Sequence, residues 1–218
     1  KSGVTSPIYI DLKNLISYPY LMNNICSKLY EKIKHVEVDI ICGVAYGGIP
    51  FSSIISSNYN IPMIFLRKEV KKYGTNKMIE GCHKNNSKII MIEDVITTGS
   101  SLLSNIEMLK KKKLIINDLF VICDRRVSSS NNILNEYNIH SLFNVYDVID
   151  CLLNHKKIEY NTYTELNSFF NIKTVNKNFD ERKKITSNNL TKKIFNLLEK
   201  KKTNIGYCCL ETTKDKII

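Results

Sequence analysis

Apolar positions follow two rhythms along this chain. Leu21, Ile25, Leu29 and Ile33 recur at helical spacing behind Pro19, so an amphipathic helix is predicted over 19–34. Short unbroken apolar runs predict strands at 38–44, 62–66, 89–92, 118–123 and 139–145, with an extended segment at 7–11. Helical patterns are expected at 50–57, 100–112, 131–137, 146–153 and 163–170, with Gly47-Gly48 as a tight turn before the first of these. Residues 67–87 are polar, contain Gly74 and Gly81 and lack periodicity, which predicts a long loop of the kind that is usually functional. From residue 171 the character changes. A polar, Lys- and Asn-rich linker at 172–189 leads to an amphipathic helix at 190–200 and to a strand at 203–210 with no evident partner.

Strands alternating with helices imply βαβ units and a mostly parallel sheet. Ligands of such sheets bind beyond the C-terminal ends of the strands. The segments 45–48, 67–73, 93–101 and 124–125 each follow a predicted strand, so they can converge on one edge.

Composition narrows the classes. The 218 residues favour one domain with an appendage, and a hydrophobic content of 43% is enough for a core. No run approaches the roughly 18 apolar residues of a membrane span, and no secretory leader is read at the start. Seven Cys without CxxC spacing, and four scattered His, predict neither a disulfide framework nor a zinc site, and point to a reducing, cytoplasmic setting. The net charge of +11 lies mostly at 67–72, 110–113 and 173–202. Nucleic-acid-binding motifs are missing from the sequence, so most of this charge is read as solvated surface rather than as a nucleic-acid interface.

The most informative run is 89–101, Ile-Ile-Met-Ile-Glu-Asp-Val-Ile-Thr-Thr-Gly-Ser-Ser. A buried strand is expected to end at the carboxylates of Glu93 and Asp94, and Thr97 to Ser101 open a helix. Free N–H groups at such a turn suit a phosphate dianion, and the adjacent carboxylates suit ribose hydroxyls or a hydrated Mg²⁺. Either feature alone is common in α/β proteins, where an acidic pair at a strand end is usually a solvated turn. Here they occur together and in order.

This run resembles the 5-phosphoribosyl-1-pyrophosphate (PRPP) signature of the type I phosphoribosyltransferases. Other runs resemble the orotate phosphoribosyltransferases among them. Lys-Ser-Gly-Val-Thr-Ser-Pro-Ile-Tyr-Ile-Asp at 1–11 is similar to their N-terminal motif. Cys-Gly-Val-Ala-Tyr-Gly-Gly-Ile-Pro at 42–50 is similar to their pyrophosphate loop. Phe-Leu-Arg-Lys-Glu-Val-Lys-Lys-Tyr-Gly at 65–74 is similar to their catalytic loop, and Cys-Asp-Arg-Arg at 123–126 to their orotate-binding segment.

The resemblance implies an α/β, type I phosphoribosyltransferase fold over 1–171. That fold has a twisted, mostly parallel sheet flanked by helices, a small hood that includes 1–34, and a mobile loop at 67–87. It implies transfer of the phosphoribosyl group of PRPP to orotate, giving orotidine 5′-monophosphate in pyrimidine biosynthesis, with Mg²⁺ as cofactor. Glu93, Asp94, Val95, Ile96, Thr97, Thr98, Gly99, Ser100 and Ser101 are then expected to bind ribose 5-phosphate. Lys1, Arg67, Lys68, Lys71 and Tyr73 should act on pyrophosphate, with Tyr46 and Gly47 beside it and Asp94 among the catalytic set. Arg125 should take the orotate carboxylate, helped by Tyr9, Ile10 and Thr97. Mg²⁺ is expected to be held through PRPP and waters near Glu93 and Asp94.

The chain departs from the pattern twice. Many members carry His where Tyr73 stands and Lys where Gly47 stands. A purine or uracil phosphoribosyltransferase, or a non-catalytic regulator that senses PRPP and binds RNA, are the competing readings. The Lys-Ser-Gly and Arg-Lys-Glu runs argue against the first, and the complete loop against the second. The resemblance also implies a homodimer whose loop reaches the neighbour's site. The run at 190–205 resembles the bridge of bifunctional uridine monophosphate synthases, which is compatible with a complex with orotidine monophosphate decarboxylase.

Overall fold

The computed structural model describes residues 7–67, 78–126, 134–170 and 210–212. The chain divides into two units. One comprises Leu15–Asp124 and Asn131–Leu142. The other comprises Lys1–Asn14, Arg125–Ser130 and Phe143–Ile218.

The first unit is built on a six-stranded sheet with flanking helices. In chain order it holds α1 (Pro19–Ile33), β2 (Ile40–Gly43), α2 (Gly48–Tyr59), β3 (Met63–Leu66), β4 (Ile79–Glu80), β5 (Lys88–Ile96), α3 (Ser100–Lys110), β6 (Ile115–Asp124) and β7 (Asn138–Asn144), the last two residues of which belong to the second unit. The strand order is β4-β3-β2-β5-β6-β7. β2 runs parallel to β3 and β5, and β5 parallel to β6, while β4 is antiparallel to β3.

Burial on both faces explains the unbroken apolar runs. Ile89, Ile90, Met91 and Ile92 of β5 are all at most 2% exposed. Ile89 and Met91 pack in one cluster with Cys42, Leu119, Val121 and, from α3, Leu102, Ile106 and Leu109. Ile90 and Ile92 point the other way, as the period of a strand requires. Pro19 opens α1 at a position where its missing N–H costs no hydrogen bond. α2 closes on Asn60 in the left-handed region.

The second unit contains β1 (Ile8–Ile10), α4 (Val145–Asn154), α5 (Tyr160–Phe169) and β8 (Leu210–Thr212). Asn144 and Asp147 form a capping box at the start of α4. β1 pairs antiparallel with β8.

Several expectations are corrected. β5 does not end before its acidic pair: it continues to Ile96, held on β6 by the pairings Glu93↔Val121 and Val95↔Cys123. The long loop is not without structure, because Ile79 and Glu80 add an edge strand to β3. Gly48 is the first residue of α2, not part of a turn before it. Of the helix expected at 131–137, residues 131–133 lie outside the described residues and 134–137 make a single turn, closed by Tyr137 N–H donating to Leu134 at 3.0 Å. Of the tail strand expected at 203–210, residues 203–209 lie outside the described residues; Leu210–Thr212 form a strand whose partner is β1. The helix expected at 190–200 lies outside the described residues. No described helix is long and apolar enough to cross a membrane.

Candidate active site

β2, β3, β5 and β6 are parallel, so the segments that follow them emerge at one edge of the sheet. Two of these segments meet closely. After β2 the chain turns through Val44, the cis peptide Ala45–Tyr46, and Gly47. Val44 N–H donates to Ile92 at 3.0 Å, and Gly48 N–H donates to Val44 at 2.9 Å. A Cβ at Gly47 would lie 2.0 Å from an Asp94 carboxylate oxygen. A Cβ at Gly48 would lie 2.0 Å from the Ile92 carbonyl oxygen. The Gly-Gly doublet therefore lets the start of α2 lie directly against the end of β5, with the Asp94 carboxylate at the contact. Ile92 and Asp94 share a strand face, which is why both meet this turn.

The acidic pair is partly buried. Asp94 N–H donates to Glu93 Oε1 at 3.2 Å, and Val95 N–H donates to Asp94 Oδ1 at 2.8 Å. The second contact fixes the Asp94 carboxylate on its own backbone.

β5 then passes through Thr97 and Thr98, both exposed, to Gly99 at φ 79°. This left-handed residue turns the chain into α3, and glycine is required twice over: a Cβ here would lie 2.5 Å from Leu134 Cδ1. Thr98 Oγ1 and Ser100 Oγ are 3.0 Å apart, and Ser101 is exposed in the first helical turn. Hydroxyls and the N–H groups of a first helical turn thus gather where a helix dipole favours an anion. Tyr46 is 64% exposed at the neighbouring turn.

Arg67 follows β3 at the same sheet edge. Its guanidinium is ion-paired with Glu80 of β4, and its N–H donates to Met78 at 2.9 Å. The partner carboxylate lies in a segment that the sequence pattern assigns to loop, so the pairing was not legible there. In the second unit, Tyr9 is 47% exposed and Ile10 buried on β1. Arg125 follows the last residue of β6, and its guanidinium carbon lies 6.0 Å from the centre of the Phe170 ring. Lys1, Lys68, Lys71 and Tyr73 lie outside the described residues.

Comparison with known proteins agrees with this fold. The pattern of the phosphoribosyl transferase domain matches residues 19–142. The uridine 5′-monophosphate synthase of Naegleria gruberi is 32% identical over all of this chain and 49% of its own length. The orotate phosphoribosyltransferase of Sulfurisphaera tokodaii is 34% identical over 77% of this chain and 86% of its own. The solved UMP synthase of Leishmania donovani is 28% identical with a TM-score of 0.71, over 78% of this chain and 37% of that one. The chain thus spans about half, or less, of the length of the synthases it matches. By its matched domain, and by its identity to relatives of which it covers more than three quarters, the chain belongs to the phosphoribosyltransferase family, among the orotate phosphoribosyltransferases.

Proposed function

We propose that this chain transfers the 5-phosphoribosyl group of PRPP to orotate, releasing pyrophosphate and orotidine 5′-monophosphate. One observation carries the reading. The start of α2 at Gly47 and Gly48 lies against the end of β5 with the Asp94 carboxylate at the contact, and the Gly99 turn into α3 follows β5 at the same sheet edge, which suits a ligand with pyrophosphate, ribose and 5-phosphate.

The residues take their parts from the resemblance of their motifs to those of the orotate phosphoribosyltransferases. The 97–101 turn, with Val95 and Ile96 leading into it, holds the 5-phosphate through N–H groups and hydroxyls. Glu93 and Asp94 accept hydrogen bonds from the ribose hydroxyls. Tyr46 and Gly47 border the pyrophosphate, and Lys1, Arg67, Lys68, Lys71 and Tyr73 supply its donors. Arg67 can keep Glu80 and still donate, since a guanidinium has more N–H groups than one carboxylate takes. Arg125 forks onto the orotate carboxylate, with Thr97 and the backbone at Tyr9 and Ile10 beside the base.

Breaking the anomeric C–O bond leaves positive charge on the ribose and negative charge on pyrophosphate. The cationic set stabilises the second, and a closed loop keeps water from hydrolysing PRPP. Orotate N1 is already acidic, so no enzymic base is required. Tyr73 donates a hydrogen bond to pyrophosphate. Mg²⁺ fits the donor set. This ion characteristically keeps waters and takes one or two carboxylates plus substrate phosphates, and Glu93 and Asp94 are carboxylates of that kind. Glu93 and Asp94 would hold it through that shell, where it would supply charge to neutralise pyrophosphate.

Product analysis tests the reading. Protein, PRPP, orotate and Mg²⁺ should yield orotidine monophosphate and pyrophosphate in equal amounts, and a chelator should stop both. Formation of pyrophosphate without the nucleotide would sink the proposal.

A homodimer with the 67–82 loop donated to the neighbour's site goes with this function. Mixed Arg67→Ala and Asp94→Asn subunits, each inactive alone, should recover one working site per hybrid dimer. Verified hybrids with no recovered turnover would place the whole site within one chain. An association with orotidine monophosphate decarboxylase is supported by the alignment of this chain, tail included, with half of a uridine 5′-monophosphate synthase. A cytoplasmic setting goes with this function and with the cysteine spacing of the sequence, which has no CxxC pair.

A further inference from the structure

We infer that Phe170 is the positioning residue for Arg125, fixing the plane of the guanidinium that reads the orotate carboxylate. This rests on the orotate assignment made above for Arg125.

Arg125 stands just past β6, in neither strand nor helix. A long side chain leaving such a segment loses rotamer freedom when it binds, and that loss weakens the complex unless the side chain is held beforehand. Phe170 supplies a surface to hold it. The ring is 1% exposed and lies 6.0 Å from the guanidinium carbon, within the reach of a cation–π contact.

The ring itself is locked from several sides. Its backbone N–H donates to Leu166 at 3.0 Å and closes the end of α5. Tyr146 meets it at 88° with centres 6.5 Å apart, and Phe169 at 83° with centres 5.0 Å apart. Tyr146 lies in the first turn of α4, which the Asn144–Asp147 capping box fixes. A line of contacts therefore runs from the capping box through Tyr146 to Phe170 and ends on the arginine. All of these residues belong to the second unit.

The plane of the guanidinium decides function. A fork that faces a carboxylate edge-on makes two parallel hydrogen bonds, and a rotated one makes a single bond. Phe170 thus acts through Arg125 and touches no reacting atom.

The test compares Michaelis constants in the intact protein. Phe170→Leu keeps an apolar side chain but removes the π face. It should raise KM for orotate about three- to tenfold, the range of one cation–π contact. KM for PRPP and kcat should stay within about twofold of wild type. Pentafluorophenylalanine at 170 keeps the ring shape and reverses the charge of its face, so it should repeat the orotate effect without a packing defect. Phe170→Tyr should restore wild-type orotate KM. In an Arg125→Ala background, which alone raises orotate KM strongly, Phe170→Leu should add nothing.

Two results overturn the inference alone: orotate KM unchanged in both the leucine and the pentafluoro proteins, or the same rise with and without Arg125. A third, Arg125→Ala with unchanged orotate KM, overturns the orotate role of Arg125 itself and removes the premise.

Discussion

Gly48→Ala is expected to unfold this protein more readily than any single change of similar size at its surface. The new methyl carbon would sit 2.0 Å from the Ile92 carbonyl oxygen and 2.9 Å from its carbon. Both atoms are backbone of β5, a central strand paired on either side, so they cannot swing away. The same carbonyl accepts from Val44 N–H at 3.0 Å, and moving it weakens that bond as well. Overpacking of this kind costs about 3 kcal/mol, which for a chain of this length lowers the melting temperature by roughly 6–12 °C. Gly47→Ala makes an instructive control. Its methyl group would meet the Asp94 carboxylate, a side chain that can move, unlike the β5 backbone, at the cost of the hydrogen bond it accepts from Val95 N–H. That variant should keep most of its stability and lose affinity for PRPP, because the carboxylate turns away from the ligand edge. Thermal melts and PRPP binding, measured on both variants, separate the two cases. A wild-type melting point for Gly48→Ala would show that α2 does not start against β5 as described.

Asp94→Asn should lower kcat by about a hundredfold or more, the scale for removing one preorganised electrostatic group, with little change in stability. Asp118→Asn should behave in the opposite way. Asp118 lies within β6, opposite Ile90, and its carboxylate is 2.7 Å from His140 Nε2, on a ring that stacks on Phe120. This pair belongs to the β6–β7 side of the sheet, away from the parallel strands' C-terminal ends, so its loss should cost stability of about 1 kcal/mol and leave turnover near wild type. Steady-state rates and denaturant melts of the two variants decide the matter. An equal fall in kcat for both would contradict the assignment of the ligand edge.

The sheet was legible in the sequence because its strands are buried on both faces. Runs such as Ile89–Ile92 need no alternation to announce themselves, and the helical spacing of Leu21, Ile25, Leu29 and Ile33 marks the inner face of α1. The errors have a common origin. Local pattern assigns polar residues to turns, yet Glu93, Asp94 and Glu80 are held in strands by neighbours that local pattern cannot see. The pairing of β1 with β8 joins residues about two hundred positions apart and leaves no local trace. Within the candidate site, hydroxyls and carboxylates declared themselves by chemical type. The close approach of Gly48 to Ile92, the pairing of Arg67 with Glu80 and the contact of Arg125 with Phe170 are products of packing, and only the fold reveals them.

The central claim is the choice of base, and one competition measures it. Initial rates of pyrophosphate release from PRPP and Mg²⁺ are recorded with orotate, uracil, hypoxanthine and adenine, singly and then in pairs. The account predicts release with orotate alone, undiminished by the other bases, since they offer no carboxylate for an arginine fork. Release with hypoxanthine or uracil and none with orotate would contradict it.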